Sequence, residues 1–282
     1  MIMGLDIGAS FAKAILADKK LRIVEKYIIP VEEPKVTSTR IIGFFAERFG
    51  SSLRDIIEAV AVSGGGSRFI GKEIFGLPVK RVDEIASIGL GGILLARKNK
   101  GLVVSAGTGT AVVAVYNCGE IVKHVGGTGI GGGTLLGLSR RMLGLSDFKT
   151  LEEIAQRGCS SKVDLTVGDI VGGPIGMLSA DATASNLGKL TRESRDEDVA
   201  AGIFNIVSQT IGVVAAFAAK AYNLEDDVVV VGMLAKSWLV SRIVNETVKI
   251  FNVKAFIPEN CEFAPALGAA AIVLREIESS AT

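Results

Sequence analysis

The sequence predicts an α/β protein of two similar lobes, and three observations carry that prediction. Short β-branched runs alternate with longer stretches of helical spacing, as α/β folds require. Glycines, 34 in all, gather where strands are expected to end. The strand–turn–strand–turn–strand layout of the N-terminus returns from about residue 101.

Taken in order, residues 2–7, 12–17 and 21–29 read as strands, the first two joined by a turn at Gly8, Ala9 and Ser10. Residues 38–58 keep helical spacing through Ile41, Phe44, Phe45, Phe49, Leu53, Ile56 and Ile57. A buried strand over 59–63 then ends in Gly64, Gly65 and Gly66, and a helix with a glycine-rich face follows over 84–95. The second cycle has strands over 102–106, 111–116 and 121–125 and helices over 134–143, 151–156 and 199–222. A strand over 228–231, a helix from about 236 and a C-terminal helix over 265–277 complete it. Lobes of residues 1–100 and 101–282 are therefore expected, with the polar stretch 183–198 as a surface segment.

Composition narrows the function classes. Apolar residues make up 49% of the 282 residues and charged ones 22%, enough for large cores and not a disordered composition. A net charge of +1 offers no strongly basic surface, so no nucleic-acid partner is expected. The apolar runs 211–219 and 266–274 are nine residues each against the roughly twenty a bilayer span needs, so no membrane association is expected. Residues 1–5 lead into a strand without a signal-type pattern. Cys118, Cys159 and Cys261 are widely spaced, as in reduced thiols of a cytoplasmic protein.

Four segments carry chemistry. In the first, Asp6 ends a buried strand and Gly8, Ala9 and Ser10 form a tight turn before Lys13 on the return strand. Backbone N–H groups in such a turn can face a phosphate, because glycine lets the chain approach closely. Asp6 can hold Mg²⁺ through water and Lys13 can reach a terminal phosphate; an ordinary hairpin is the plainer reading. In the second, Gly107, Thr108, Gly109 and Thr110 repeat that form after the strand 102–106. Two such turns, each opening one of two similar lobes, are far more specific than either alone. The third segment, Gly126 to Thr134, places Gly129, Gly131, Gly132 and Gly133 just before a helix, a setting suited to anions. It lacks the Lys-Ser/Thr ending of a Walker loop. The fourth is the strand 228–231 ending at Gly232, a floor for an adenosine ring or a plain strand–helix connection.

With these residues in view, the chain resembles the type II (eukaryotic-like) pantothenate kinases, within the actin/Hsp70/sugar-kinase superfamily. The resemblance runs over nearly the whole chain. Its most specific pieces are His124 through Thr134, Val163-Asp164-Leu165 with Asp169-Ile170-Val171-Gly172-Gly173, and Ala184-Ser185-Asn186-Leu187-Gly188-Lys189. It implies duplicated ribonuclease H-like lobes about a central nucleotide cleft. It also implies a homodimer, ATP with Mg²⁺, and phosphorylation of the primary hydroxyl of pantothenate in the first step towards coenzyme A, which itself regulates much of the family.

The resemblance makes Glu84, in the Val82-Asp83-Glu84 motif, the base that takes the proton of the attacking hydroxyl, while Mg²⁺, Lys13 and the loop N–H groups are expected to supply the charge stabilisation. A carboxylate at a helix start is also favoured by the helix dipole alone, and Asp83 competes for the role. Two positions depart from the family pattern, both on the acceptor side with Thr108. His124 stands where the family has an arginine that the resemblance would place on the pantothenate carboxylate, and Ala111 replaces a serine. An arginine offers a permanent forked charge and histidine does not. Pantetheine, pantoate or a sugar are therefore alternative acceptors. Two further alternatives are an ATP-dependent activator of a redox partner, whose cluster ligands the cysteine spacing does not supply, and a nucleotide sensor without turnover.

Overall fold

A computed structural model describes residues 1–50 and 53–280 of the chain. The elements begin β1 (Ile2–Ile7), β2 (Phe11–Ala17), β3 (Ile23–Pro30), α1 (Pro34–Phe49), α2 (Leu53–Ile56), β4 (Ala59–Ser63), β5 (Glu73–Ile74), β6 (Leu77–Arg81) and α3 (Glu84–Ala96). They continue β7 (Gly101–Ala106), β8 (Thr110–Tyr116), β9 (Ile121–Thr128), α4 (Gly132–Leu143), α5 (Phe148–Ala155), β10 (Leu165–Thr166), α6 (Val167–Val171) and β11 (Thr183–Ser185). They end α7 (Asp196–Tyr222), β12 (Val228–Val231), α8 (Trp238–Ile250), β13 (Ala255–Phe256) and α9 (Ala264–Ser280).

Two large sheets dominate. The first runs β3-β2-β1-β4-β6-β5, and the second, taken from its far edge, runs β9-β8-β7-β12-β13. In both, three strands consecutive in the chain are followed by a strand reached through a long connection and then by another. The duplication expected from the sequence is thus a repeated strand order. In the first sheet β1, β2 and β3 are antiparallel, whereas β4 pairs parallel with β1 and β6 parallel with β4.

The period of two along each strand divides the core of that sheet. Met3, Leu5, Ile7, Val60 and Val62 meet Ile41 and Phe45 of α1 on one face. Ile2, Ile15, Ala59 and Ala61 meet Ala266 and Ala270 of α9 on the other. Each large apolar side chain fully buried in this way contributes roughly 1.5–3 kcal/mol.

The chain divides into two units. Unit 1 is Met1–Val103, Val113–His124 and Pro258–Thr282; unit 2 is Val104–Val112 and Val125–Ile257. A single cut near residue 100, the sequence expectation, differs from this grouping in 113–124 and in the C-terminal helix. Glycine explains the second difference. A Cβ at Gly91 of α3 would strike the Ala264 carbonyl of α9, and one at Gly268 of α9 would strike the Ser87 carbonyl of α3. Only glycines allow the two helices so close an approach, and that ties α9 to unit 1.

Other differences are local. The helical stretch expected over 38–58 is divided: α1 stops at Gly50, whose φ of 64° suits the residue after a helix. Ser51 and Ser52 lie outside the described residues. The short strands β5, β6, β10, β11 and β13 were not anticipated. The apolar run 211–219 belongs to α7, whose 27 residues are long and apolar enough to cross a bilayer and are mostly buried, packed on α4, α5 and α8.

Candidate active site

Unit 1 gathers side chains. Asp6 is the last polar residue of β1 and only 5% exposed. Its register partner on β2 is Lys13, whose Nζ lies 3.1 Å from Asp6 Oδ2. Gly8 N–H donates to the Phe11 carbonyl and closes the turn, leaving Ala9 and Ser10 exposed at its tip. On the other side of β1, Asp6 pairs with Ser63, the end of β4. Gly64 follows with φ 84°, and a Cβ there would lie 2.7 Å from Asp6 Oδ1. The residue after β4 must therefore be glycine for two reasons, backbone conformation and the space the carboxylate occupies. The sequence reading took Gly64 only as a strand end.

Hydrogen bonding distinguishes Asp83 from Glu84. Asp83 is the N-cap of α3: its Oδ1 accepts from the Ala86 N–H at 2.8 Å, and its carbonyl accepts from Ser87 Oγ. Glu84 sits one residue later at an exposed position, with no hydrogen-bond donor among the described residues. Desolvation by the surrounding protein lifts its carboxyl above the usual range; the Asp6 carboxylate adds to this, Lys13 opposes it, and Asp83 adds a smaller push. Asp6, Lys13 and Glu84 thus form one electrostatic group, and Asp83 is committed to the helix.

Unit 2 gathers backbone. The turn after β7 closes with Gly107 N–H on the Gly109 carbonyl, and Thr110 Oγ1 donates to the Ile130 carbonyl at 2.9 Å. The glycine-rich loop is stitched onto this turn. Gly132 N–H donates to the Gly107 carbonyl at 2.8 Å and Gly133 N–H to the Thr108 carbonyl at 2.9 Å. A Cβ on Gly131 would meet Thr108 O at 2.6 Å, Gly109 Cα at 2.7 Å and Gly107 O at 2.9 Å. Gly232, with φ 98°, presses as closely on Ala106. Gly129 has open space around its Cα. One sequence expectation is refined here: two of the N–H groups at the start of α4 are spent inside the protein, so the loop braces the second turn with them. Thr108 remains exposed at its edge.

The residues expected on the acceptor side are less gathered. His124 is exposed on β9 and Ala111 half-buried on β8. The segment over 163–189 is instead bound up with itself. Asp164, fully buried, accepts from Leu187 N–H at 2.7 Å and from Asn205 Nδ2 at 2.6 Å. Burial pushes its carboxyl up, against those bonds and that from Asn186. Asp169 accepts from Lys189 Nζ at 2.6 Å and from the Thr166 N–H and hydroxyl, which hold its carboxyl at about 2. The three cysteines are unbridged, Cys118 and Cys159 exposed and Cys261 buried.

The family described as Fumble matches residues 100–271. The chain belongs to the Fumble family. A type II pantothenate kinase of Bacillus anthracis is 25% identical over 260 residues, covering 89% of each protein. Among solved structures, the activator of 2-hydroxyisocaproyl-CoA dehydratase from Clostridium difficile with bound ADPNP superposes with a TM-score of 0.70 at 19% identity, over 99% of this chain and 96% of that one. A ROK family glucokinase from Streptomyces griseus in complex with glucose and AMPPNP gives 0.62 at 14% identity, over 96% and 98%. The fold is therefore that of the actin/Hsp70/sugar-kinase superfamily, and membership of the Fumble family makes the chain an ATP-dependent kinase.

Proposed function

We propose that the protein transfers the γ-phosphoryl group of ATP to the primary hydroxyl of pantothenate, opening the route to coenzyme A. The observation that carries the reading is the group Asp6–Lys13–Glu84, in which Glu84 is the one carboxylate left without a donor. The relatives named as type II pantothenate kinases support the choice of acceptor.

In this reading Glu84 accepts the proton of the acceptor hydroxyl as its oxygen bonds to the γ-phosphorus. The bond to the β–γ bridging oxygen breaks and ADP leaves. A raised carboxyl suits a base, since the proton it takes is held more firmly than on an ordinary glutamate. Lys13 holds the Asp6 carboxylate in place at 3.1 Å, and its ammonium supplies positive charge for the transferred group. Asp6, buried and with one oxygen turned from Lys13 towards Gly64, has the hard oxygen donor that a water-mediated Mg²⁺ site needs. When bound, Mg²⁺ would neutralise phosphate charge. The braced turn at Gly107–Thr110 is assigned to the nucleotide phosphates, and Gly232 to the adenosine. A cytoplasmic homodimer belongs to the same proposal.

The acceptor is where this chain departs from its family pattern, at His124 and Ala111. The test is ADP release from Mg-ATP with pantothenate, pantetheine and pantoate in parallel. Pantothenate-dependent turnover is expected. Turnover with only another alcohol would keep the phosphoryl transfer and overturn the acceptor.

A further inference from the structure

Four strands of the first sheet lie in the order β2-β1-β4-β6, and their registers place one row of residues across it. Lys13 pairs with Asp6, and Asp6 with Ser63. Val82 N–H donates to the Val62 carbonyl at 2.9 Å, which carries the parallel register of β4 and β6 on to Val82. The row is therefore Lys13, Asp6, Ser63, Val82.

Residues paired across a sheet leave it on the same face. The face is fixed by what shares it: Ile15, Ala59, Ala61 and Val82 all belong to the cluster packed on α9. Ser63 has the parity of Ala59 and Ala61, and Lys13 that of Ile15. Neighbouring strands stand about 4.8 Å apart, so Ser63 is set directly beside Asp6. Glu84 follows Val82 by two residues at the start of α3, and the Asp6 carboxylate acts on it. Ser63 thus lies between Asp6 and the strand that leads to Glu84.

That position makes one property of Ser63 informative. It is fully buried, and its hydroxyl has no hydrogen-bond partner. An unpaired buried hydroxyl costs on the order of 1–3 kcal/mol of desolvation. A purely structural site on this strand would be filled by alanine, as at Ala59 and Ala61. The next strand leads to Glu84, a carboxylate that likewise has no donor among the described residues. Two such groups with complementary vacancies can share a third member that is polar and carries both a donor and an acceptor. A reacting alcohol is such a group.

Resting on the reading of Glu84 as the base, we infer that Ser63 positions the acceptor: its hydroxyl donates to the oxygen of the acceptor's reactive hydroxyl, whose own proton points to Glu84. This fixes a lone pair of the nucleophile and aims its proton before transfer begins. Such orientation acts on both acceptor affinity and the chemical step. The charged groups around Glu84 are Asp6 on β1, Lys13 on β2 and Asp83 on its own helix. Glu262 is the carboxylate of the turn Cys261–Phe263, which also packs against α3. None of these can donate to a neutral alcohol as Ser63 can, except Lys13, which is held by Asp6.

The experiment compares two ligands on three proteins. Calorimetry with a non-hydrolysable ATP analogue present measures binding of pantothenate and of its analogue bearing hydrogen in place of the primary hydroxyl. The proteins are the unmodified chain, Ser63→Ala and Ser63→Thr. One neutral hydrogen bond corresponds to about five- to tenfold in affinity. Ser63→Ala is expected to weaken pantothenate by about that factor and leave the deoxy analogue unchanged. Ser63→Thr restores pantothenate binding, and nucleotide affinity is constant throughout. In turnover, Ser63→Ala lowers kcat as well as raising KM for the acceptor, while KM for ATP holds. Should the alanine variant unfold, Ser63→Cys, of similar volume but a weak donor, reads the same difference. Equal losses for the two ligands, or none, would overturn this inference and leave the base untouched. Failure of the unmodified chain to bind pantothenate would overturn the parent reading and this inference together.

Discussion

The two turns that follow β1 and β7 occupy equivalent places in a repeated strand order, yet they are made of different materials. After β1 the chain spends side chains: Asp6 and Lys13 are ion-paired at 3.1 Å, with Ser63 and Glu84 alongside. After β7 it spends backbone: Gly107, Gly109, Gly132 and Gly133 are joined through main-chain hydrogen bonds, and at Gly131 a Cβ would meet three backbone atoms within 3 Å. One copy of the strand order thus ends in a cluster of charged side chains, the other in a rim of peptide groups.

That contrast can be broken from either side. The largest effect is expected from Glu84→Gln, which removes the base while keeping size and polarity. Transfer should fall by about 10²–10⁴, the range for loss of a general base, with nucleotide affinity retained. Turnover equal to that of the unmodified chain would remove Glu84 from the mechanism. The sign of its shift adds a control. Because the folded carboxyl holds its proton more firmly than the ordinary 4.5, its ionisation costs stability as pH rises through the folded value. Thermal unfolding near neutral pH should therefore find Glu84→Gln no less stable than the parent, so lost activity would not be lost fold.

A smaller effect, opposite in kind, is expected from Gly131→Ala. Its φ of −178° is ordinary extended backbone, so the obstacle is space alone: the new methyl would meet three backbone atoms of the second turn within 3 Å. Overpacking of this sort costs about 1–3 kcal/mol. We expect a lower melting temperature and weaker ATP binding, with the titration of Glu84 unmoved. Unchanged stability and unchanged ATP affinity would contradict a braced phosphate rim.

Much of this was legible in the chain. The strand β1, with its apolar run ending in Asp6 and Gly8, announced itself by composition, and the repeat from residue 101 announced the second copy. The strand β6 did not, because Leu77-Pro78-Val79-Lys80-Arg81 mixes a proline with two cations and has no β-branched run. It is parallel all the same, paired with β4, and it delivers Glu84 to the site. Ser63 was invisible for a related reason. Its meaning depends on the register between strands far apart in sequence, with Asp6 opposite Ser63, which no local pattern records. The role of Asp83 needed the cap geometry of α3. The bracing role of the glycine-rich loop was not legible, since which N–H groups remain available depends on the turn it packs against.

The most direct test of proton transfer to Glu84 is the pH dependence of kcat/KM for pantothenate, measured in the unmodified chain and in Glu84→Gln. The unmodified chain should lose activity as pH falls through a single ionisation above 4.5, and Glu84→Gln should be slower by orders of magnitude and lack that limb. The same limb and the same rate in both proteins would contradict the claim that unit 1 is where the proton is taken.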